Sequence, residues 1–431
     1  MELIVKLKQH TPIIHFQWDQ NGATLRATEL KPKLDRYIEN LNRYYKEDCL
    51  EEIGMLNSPI GTYRLTISQP PIKKKIIPKR LDKDDKKLER YNLIEPVGNQ
   101  RYKQIMIWSL YFGDIEAMLE YNGATELTFQ SFDKAMLKKV YLALPIMLAM
   151  ENFGSRQNKG FGSFYISEFT KMPHGFNDLC KTDLLKIEDI YKNHIPNNVY
   201  SFDGKSDYIE TFKQIFYFYN ALKAGTNEDF SRKDPKKYSK SLLWRYIKQT
   251  EKNLVWEKRV MKQHLIGDIL PSPLTSDYQF IRVLLGLSPT YEFKSTFYFD
   301  KNTKSPIDRS ARMDSNYSDS RHLSITDKVR FSVEDTEPDN KKKIERTTSP
   351  LTFKPIKTNS GFRVYIILKP ELINGVNAHK FSFRKKNSGW KVETQPPATF
   401  DLKAFMDFAI KEMSISRVNQ FVNGLKVITI K

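Results

Sequence analysis

Near the start of the chain, apolar residues recur at every second position. Leu3, Val5 and Leu7 share one face of an extended segment, so residues 1–8 are predicted to form a half-buried strand. From residue 30 to residue 41 the apolar spacing becomes that of a helix, and Thr28 is predicted to cap its N-terminus. The chain is therefore predicted to open with a strand followed by a helix.

Further patterns complete the first part of the chain. They predict a helix that begins at Asp133 and strands at residues 63–67, 103–112, 124–132 and 164–169. The order is strand, helix, strand, strand, helix, strand, with one additional strand in the third position. This is the order of elements in a ferredoxin-like unit, and it predicts an N-terminal ferredoxin-like domain over residues 1–170.

The second part of the chain mixes helical and extended patterns. One apolar helix face runs from residue 209 to residue 222, and a basic helix is predicted from Ser239 to His264. A late helix is predicted at residues 402–413. Further strands are predicted at residues 295–299, 329–333, 362–368 and 426–430. These elements predict a C-terminal, elaborated ferredoxin-like domain over residues 171–431, with a helical insertion and a mobile polar segment at 302–346. The predicted fold class is α+β, with two ferredoxin-like (RRM-like) units and antiparallel sheets.

Composition adds a partner and a compartment to this picture. The chain has 431 residues, and its 70 Lys and Arg against 51 Asp and Glu give a net charge of +19, which favours a polyanionic partner and nucleic acid first. No apolar run approaches the ~20 residues of a membrane span, so no membrane partner is expected. Cys49 and Cys180 are far apart and lack metal-ligand spacing, which favours a reducing, cytoplasmic setting without a bound metal or other cofactor.

The glycine-rich segment from Asn152 to Ile166 has the composition of an anion-binding loop. Gly154, Gly160 and Gly162 let backbone N–H groups approach a phosphate, while Arg156 and Lys159 supply positive charge. A nucleotide-binding P-loop is excluded, because that loop follows a strand and opens a helix, whereas this one follows a helix and opens a strand.

The same segment partly matches the RNA-recognition signature. Lys159-Gly160-Phe161-Gly162 fits its first four places, but Ser163 and Ile166 stand where aromatic residues are expected. The match therefore does not extend to the aromatic positions on which a regular RNA-recognition sheet stacks bases.

A glycine-rich turn before the last strand of a ferredoxin-like unit resembles the RAMP proteins of CRISPR systems. Residues 8–15 and 19–34 resemble the first strand, turn and helix start of RAMP subunits in type III effector complexes, and with residues 154–164 they are most similar to the first-named subunit of the Cmr (type III-B) complex. Residues 345–355 resemble an Arg-x-x-Ser-Pro-x-x-Phe-x-Pro segment of related RAMP proteins. Pro32 departs from the pattern, since that family often has glycine at this place.

The resemblance implies a non-catalytic, RNA-binding subunit near the 3′ end of the guide RNA, which helps a ribonucleoprotein to capture target RNA in antiviral defence. The implied partners are guide CRISPR RNA, target RNA and other RAMP subunits. Independently, a cluster of basic residues at a helix N-terminus favours phosphate, because the helix dipole and free N–H groups attract anions. The candidate RNA-binding residues are Arg26, Lys31, Lys33, Arg36, Arg156, Lys159, Gly160, Phe161, Gly162, Arg346 and Lys354.

Other functions stay open at this point. A related class, the metal-independent CRISPR RNA-processing endoribonuclease, commonly uses a histidine as general base, and His10 or His15 would be the candidate. Asp19 could resemble the acidic residue with which other type III backbone subunits cut target RNA, although a turn-forming role suits an Asp beside Gln-Asn-Gly better. A protein–protein scaffold without direct RNA contact is the third possibility.

Overall fold

The structure is a computed structural model that describes residues 1–15, 24–52, 61–77, 94–97, 101–104, 116–176, 182–195, 197–227, 238–251, 255–257, 261, 278–300, 322–336, 343–385, 391–415 and 425–430. Its strands are β1 Glu2–Gln9, β2 Ile13–Ile14, β3 Arg64–Ser68, β4 Ile72–Ile77, β5 Ile94–Val97, β6 Arg101–Gln104, β7 Glu116–Tyr121, β8 Thr125–Gln130, β9 Phe164–Lys171, β10 Val199–Asp203, β11 Thr226–Asn227, β12 Tyr238–Ser239, β13 Val255–Trp256, β14 Tyr278–Gln279, β15 Thr290–Asp300, β16 His322–Asp335, β17 Leu351–Thr358, β18 Gly361–Leu368, β19 Phe381–Lys385, β20 Lys391–Thr394 and β21 Ile428–Thr429. Its helices are α1 Ala27–Glu39, α2 Glu47–Glu52, α3 Lys134–Met150, α4 Ile187–His194, α5 Tyr208–Lys223, α6 Leu242–Thr250, α7 Glu371–Asn374 and α8 Leu402–Ile415.

The chain divides into two compact units. The first unit comprises Met1–Phe216, Leu351–Leu368 and Lys426–Lys431, and the second comprises Tyr217–Pro350 and Lys369–Leu425. Strands late in the sequence therefore belong to the same unit as the N-terminus. The domain boundary predicted between residues 170 and 171 stays a prediction. The two compact units are defined by contacts in the folded chain, and such contacts do not test which segments fold independently.

The first sheet of the first unit contains the strands predicted around the N-terminus. Its strand order is β3-β8-β1-β9, and all three pairings are antiparallel. Leu3, Val5 and Leu7 are fully buried, while their neighbours along β1 are not, as the alternating pattern requires. Along the chain these strands alternate with α1 and α3 in a manner consistent with a ferredoxin-like unit.

The second four-stranded sheet of the first unit repeats this arrangement. Its order is β17-β18-β10-β21, again antiparallel, and along the chain the elements run β10, α5, β17, β18, α8, β21. Buried residues follow one another without alternation in β10 and β18, so both faces of these strands are covered. Val199, Tyr365 and Ile367 join the same hydrophobic core as the first sheet and α3.

The second unit contains an antiparallel sheet of order β15-β16-β19-β20. Its core includes Phe280, Phe331, Phe381 and Phe383, with the ring of Phe280 set edge-on to the two rings of β19. Part of the polar segment expected to be mobile, residues 322–335, forms β16. Residues 336 and 343–346 are the other described residues of that segment, and its mobility stays a prediction.

Three local predictions differ from the structure. Arg26, not Thr28, is the N-cap of α1, since its backbone is extended and its carbonyl accepts the first helical bond from Leu30 N. Pro32 consequently lies in the second turn, where it removes one intrahelical hydrogen bond. The basic helix predicted from residue 239 to residue 264 ends at Thr250, and Val255–Trp256 is a short strand.

The predicted strand at 103–112 has only its first two residues within the described part of the chain, in β6. In the described ranges, no helix combines the length and the apolar character that crossing a membrane requires.

Candidate nucleic-acid interface

Residues 151–163, here called the glycine-rich loop, connect the end of α3 to the start of β9. A short 3-10 turn, Gln157–Lys159, occupies its middle and is bounded by two residues in the left-handed region. These are Arg156, with φ 57°, and Gly160, with φ 93°. Left-handed backbone is unfavourable for a residue with a Cβ, so the conformation of Arg156 must be imposed by the contacts of the loop.

Two glycines are required by close backbone approach. A Cβ on Gly162, which has φ 66°, would overlap the carbonyl of Phe153, and a Cβ on Gly154, with φ 78°, would overlap the carbonyl of Ile14. The predicted glycine spacing is therefore explained first by packing within the loop. Gly160 contacts Pro355, whose Cγ would lie 2.8 Å from an added Cβ.

The segment between β1 and β2 fastens the loop from one side. The hydroxyl of Thr11 donates to Gly160 O at 2.6 Å and accepts from Ser163 N at 3.0 Å. Gly162 N donates to Pro12 O at 2.8 Å, and Ser155 N donates to Ile14 O at 2.7 Å. Both ends of the loop are thus hydrogen-bonded to the segment that follows the first strand.

Helix α1 holds the loop from a second side. In its first turn, Glu29 Oε1 accepts a hydrogen bond from Gly154 N at 2.8 Å. One turn further, Lys33 Nζ donates to Asn152 O at 2.8 Å and to Gln157 Oε1 at 2.6 Å, and lies over the ring of Phe153. The side chain of Lys33 is only 12% exposed. Its ammonium group is therefore directed to hydrogen-bond acceptors of the loop.

Strand β17 holds the loop from the third side through a fully buried lysine. Lys354, with 0% exposure, donates from Nζ to Glu151 O at 2.8 Å, Asn152 Oδ1 at 3.1 Å and Phe164 O at 3.1 Å. Asn152 is also fully buried, and its Nδ2 donates to Gln157 O and Phe353 O. Because an ammonium group has three donors, these bonds use its whole donor capacity.

Phe161 points away from any ligand surface. It is 1% exposed, and its ring stacks on that of Phe212 with centroids 3.9 Å apart and planes at 26°. The aromatic residue of the partial RNA-recognition match is therefore a core residue here. Stacking of Phe161 on an RNA base is incompatible with this burial, as is a direct phosphate contact by Lys354.

The other predicted residues lie nearer the surface. Arg26 caps α1, and Arg156 and Lys159 are partly exposed on the loop. Lys31 forms a 3.0 Å ion pair with Asp35 and lies over the Tyr63 ring, whereas Arg36 is exposed in the last turn of α1. Arg346 is exposed and belongs to the second unit. Within the first unit the structure thus brings the loop and the start of α1 together, as the sequence predicted.

The two candidate histidines lie beside this region, and the pKa of each is lowered. Burial lowers the pKa of His10 to about 3, with further lowering by the charges of Lys354, Lys8 and Lys357. Its Nδ1 accepts a hydrogen bond from Lys357 N at 3.0 Å. Burial also lowers the pKa of His15, and the charge of Arg26 lowers it further. A general base works best with a pKa near the working pH, so His10 is poorly tuned for that role. Asp19 lies outside the described residues.

Sequence reasoning missed four residues that shape the loop: Thr11, Glu29, Asn152 and Gln157. Asn152 opens the glycine-rich segment, but its hydrogen-bond partner Phe353 is 201 positions away, so no local pattern could reveal its role. The pairing of Glu29 with Gly154 spans 125 positions. Among the described residues, no three His, Cys, Asp or Glu side chains are grouped to hold a metal ion.

Two antiparallel sheets of the same strand order, with a basic glycine-rich loop before the last strand of the first, agree with the class of RAMP proteins. The chain belongs to the Cmr1 family: residues 1–226 match the model of the Cmr1 N-terminal domain, and residues 238–429 match that of the Cmr1 C-terminal domain. This confirms the resemblance to Cmr subunits that the sequence motifs indicated. No curated protein matches the chain.

Solved structures show distant likeness. The apo crystal structure of Cmr1 from Pyrococcus furiosus is 12% identical, with 100% of this chain and 98% of that chain covered at a TM-score of 0.35. A chain of the type III-B Cmr-beta complex bound to cognate target RNA and AMPPnP, state 2, in the presence of ssDNA, is 11% identical, with 95% and 98% covered at a TM-score of 0.34. The family assignment rests on the two domain matches.

Proposed function

We propose that this Cmr1-family subunit binds the RNA backbone within a type III-B CRISPR ribonucleoprotein and takes no catalytic part. Its partners in this proposal are guide CRISPR RNA, target RNA and other RAMP subunits, in the cytoplasm, with the subunit near the 3′ end of the guide. The Cmr-beta relative is described as bound to cognate target RNA, which agrees with these partners.

One observation carries the proposal: the glycine-rich loop is hydrogen-bonded to the first turns of α1. The bonds from Gly154 N to Glu29 and from Lys33 to Asn152 O keep these two segments side by side. Two separate basic stretches of sequence thereby contribute to one region of the first unit. A net charge of +19 favours a polyanion at such a region, and cations spaced along a surface suit a phosphate chain.

Burial divides the candidate residues by role. Arg26, Lys31, Arg36, Arg156 and Lys159 are assigned to phosphate contact because they lie at least partly at the surface. The buried or inward-bound residues Lys33, Gly160, Phe161, Gly162 and Lys354 are assigned to the shape of the loop. Arg346 is assigned to a separate RNA contact on the second unit.

The test compares two double variants of the full chain in RNA binding over a salt series. R156A/K159A removes one Arg and one Lys from the loop, and the matched control R64A/K134A removes an exposed Arg and Lys near the opposite end of α3. The helix separates the two sites by about 24 Å at 1.5 Å per residue.

We expect R156A/K159A to weaken binding to guide-length single-stranded RNA roughly tenfold or more at 0.1 M salt. Its slope of log affinity against log salt should become shallower by about one unit per lost contact. The control should stay near the wild type. Equal behaviour of the two double variants would contradict the proposed surface, and RNA cleavage in EDTA that depends on His10 or His15 would contradict the non-catalytic role.

A further inference from the structure

Asn152 occupies the junction between α3 and the glycine-rich loop, and two lysines from distant parts of the sequence bind it. Lys33 of α1 donates to its backbone oxygen at 2.8 Å, and Lys354 of β17 donates to its side-chain oxygen at 3.1 Å. Its amide nitrogen reaches onward to Gln157 O, at the start of the 3-10 turn that carries Lys159. Asn152 therefore links both lysines to the part of the loop that carries the partly exposed residues Arg156 and Lys159.

The position of Lys354 is costly for a charged residue. It pairs across the sheet with Tyr365, on a face whose other neighbours include Thr352 and Ile367, and all four residues are buried. Placing an ammonium group in such surroundings is unfavourable unless its hydrogen bonds are satisfied. Here the compensating bonds go to Glu151 O, Asn152 Oδ1 and Phe164 O, so they end on the two points where the loop begins and ends.

The same contact changes the electrostatics of the loop. Glu151 is the C-cap of α3, and the carbonyl end of a helix carries partial negative charge that repels a phosphate. Lys354 binds the carbonyl of Glu151 and thereby places a positive charge at that end. A hydrophobic side chain at position 354 would fill the space but would leave these oxygens without their charged donor.

We propose that Asn152 and Lys354 are positioning residues of the RNA-binding surface: they do not contact RNA, and they hold the loop in the conformation that presents Arg156 and Lys159. This inference rests on the proposed function. It assigns to the SPLTFKP segment, residues 349–355, a role in completing a site whose contact residues lie in the first 160 positions. Pro355 adds to it by filling the space beside Gly160.

The experiment uses K354M in the full chain, with K139M as the matched control. Lys139 is a second buried lysine of the first unit, on α3 and eleven residues before the end of that helix. Amide hydrogen exchange without RNA is measured for Ser155, Gly160 and Gly162. Their N–H groups donate to Ile14 O, Gln157 O and Pro12 O, respectively. We expect at least tenfold faster exchange of these amides in K354M and wild-type exchange in K139M.

RNA binding then tests positioning separately from stability. K354M should lower the affinity and flatten the salt slope to the level of R156A/K159A, and adding K354M to R156A/K159A should cause little further loss. Such non-additivity is expected only when the lysine acts through the loop cations, whereas an independent structural effect would add to theirs.

The proposal is overturned if folded K354M keeps wild-type exchange and affinity, or if its loss adds fully to that of R156A/K159A. If K354M does not fold, N152D decides on the same two measurements, because it keeps an oxygen for Lys354 and removes the donors to Gln157 O and Phe353 O. A wild-type chain without salt-dependent RNA binding would overturn the proposed function instead, while exchange in K354M would still show whether the pair holds the loop.

Discussion

Two groups of basic residues surround the glycine-rich loop and use their charges differently. Lys33 and Lys354 face inward, and their ammonium groups bind oxygens of the loop and its ends. Lys31 and Lys159 lie partly at the surface, as does Arg156. All five were predicted to bind RNA from residue type and motif. The difference shows that residue type and motif do not distinguish a lysine that binds oxygens of its own loop from a basic residue at the surface.

The largest change in the free energy of unfolding is expected from a substitution that disrupts the backbone of the glycine-rich loop. G162A should lower the free energy of unfolding by about 4 kcal/mol, because it adds left-handed strain and overlap with the carbonyl of Phe153. Gly175 is a matched control, since its φ is 81° but an added Cβ meets nothing within 4 Å. G175A should therefore cost only about 1 kcal/mol of strain. Urea unfolding measures both, and equal losses would show that close packing at Gly162 is unimportant.

Helix α1 carries one lysine of each kind, since Lys33 faces the loop and Lys31 is partly exposed, so substitutions of these two residues test the comparison directly. K33M should lower the free energy of unfolding by about 2 kcal/mol, since it leaves Asn152 O and Gln157 without their charged donor. K31M removes an ion pair whose partners are 38% and 37% exposed, and such pairs contribute about 0–1 kcal/mol. Thermal unfolding distinguishes them. A K31M loss equal to that of K33M would mean that the two lysines do not differ in role.

A smaller effect is expected for Thr11, whose uncharged hydroxyl also forms hydrogen bonds to the loop. T11V should lower the free energy of unfolding by about 1 kcal/mol, because the buried hydroxyl both donates to Gly160 O and accepts from Ser163 N. T170V is the control, as its hydroxyl is exposed and donates only a 3.3 Å bond to Ile4 O. A change within about 0.5 kcal/mol is expected there. Urea unfolding with identical midpoints for both variants would contradict this difference.

The inward charge of Lys354 should also be detectable at His10. The pKa of His10 is about 3 in the folded protein, below the ordinary value of 6.5, so unfolding at acidic pH takes up a proton. This contribution to stability is fully present above pH 6.5 and is lost as the pH falls towards 3.

H10N keeps an oxygen that can accept from Lys357 N but cannot titrate, so its stability should fall less steeply between pH 6 and pH 4. K354M should raise the pKa of His10, because it removes the charge that lowers this pKa more than the charges of Lys8 and Lys357 do. Nuclear magnetic resonance titration of His10 measures that shift. An unchanged pKa in K354M would show that the ammonium charge of residue 354 is not felt at His10.

Local pattern was sufficient for much of the first sheet. Alternation predicted β1, the helical spacing predicted α1, and the glycine spacing marked the loop before β9, since each of these depends on neighbouring positions. Strand β10 was not predicted, because it is buried on both faces and its sequence lacks the alternation of a half-buried strand. Strand β17 was not predicted although Leu351 and Phe353 alternate with polar residues, because a proline inside such a run argues against a strand.

The sequence by itself determined the class of protein, the strong positive charge and the two basic segments that the structure places side by side. Only the tertiary structure decided which cations face the solvent and which face the loop. The oxygens that bind Lys33 and Lys354 come from residues as far as 124 and 203 positions away, so the direction of each side chain depends on partners that no local spacing can specify. Burial makes the choice unambiguous, since an enclosed ammonium group must satisfy its donors within the protein.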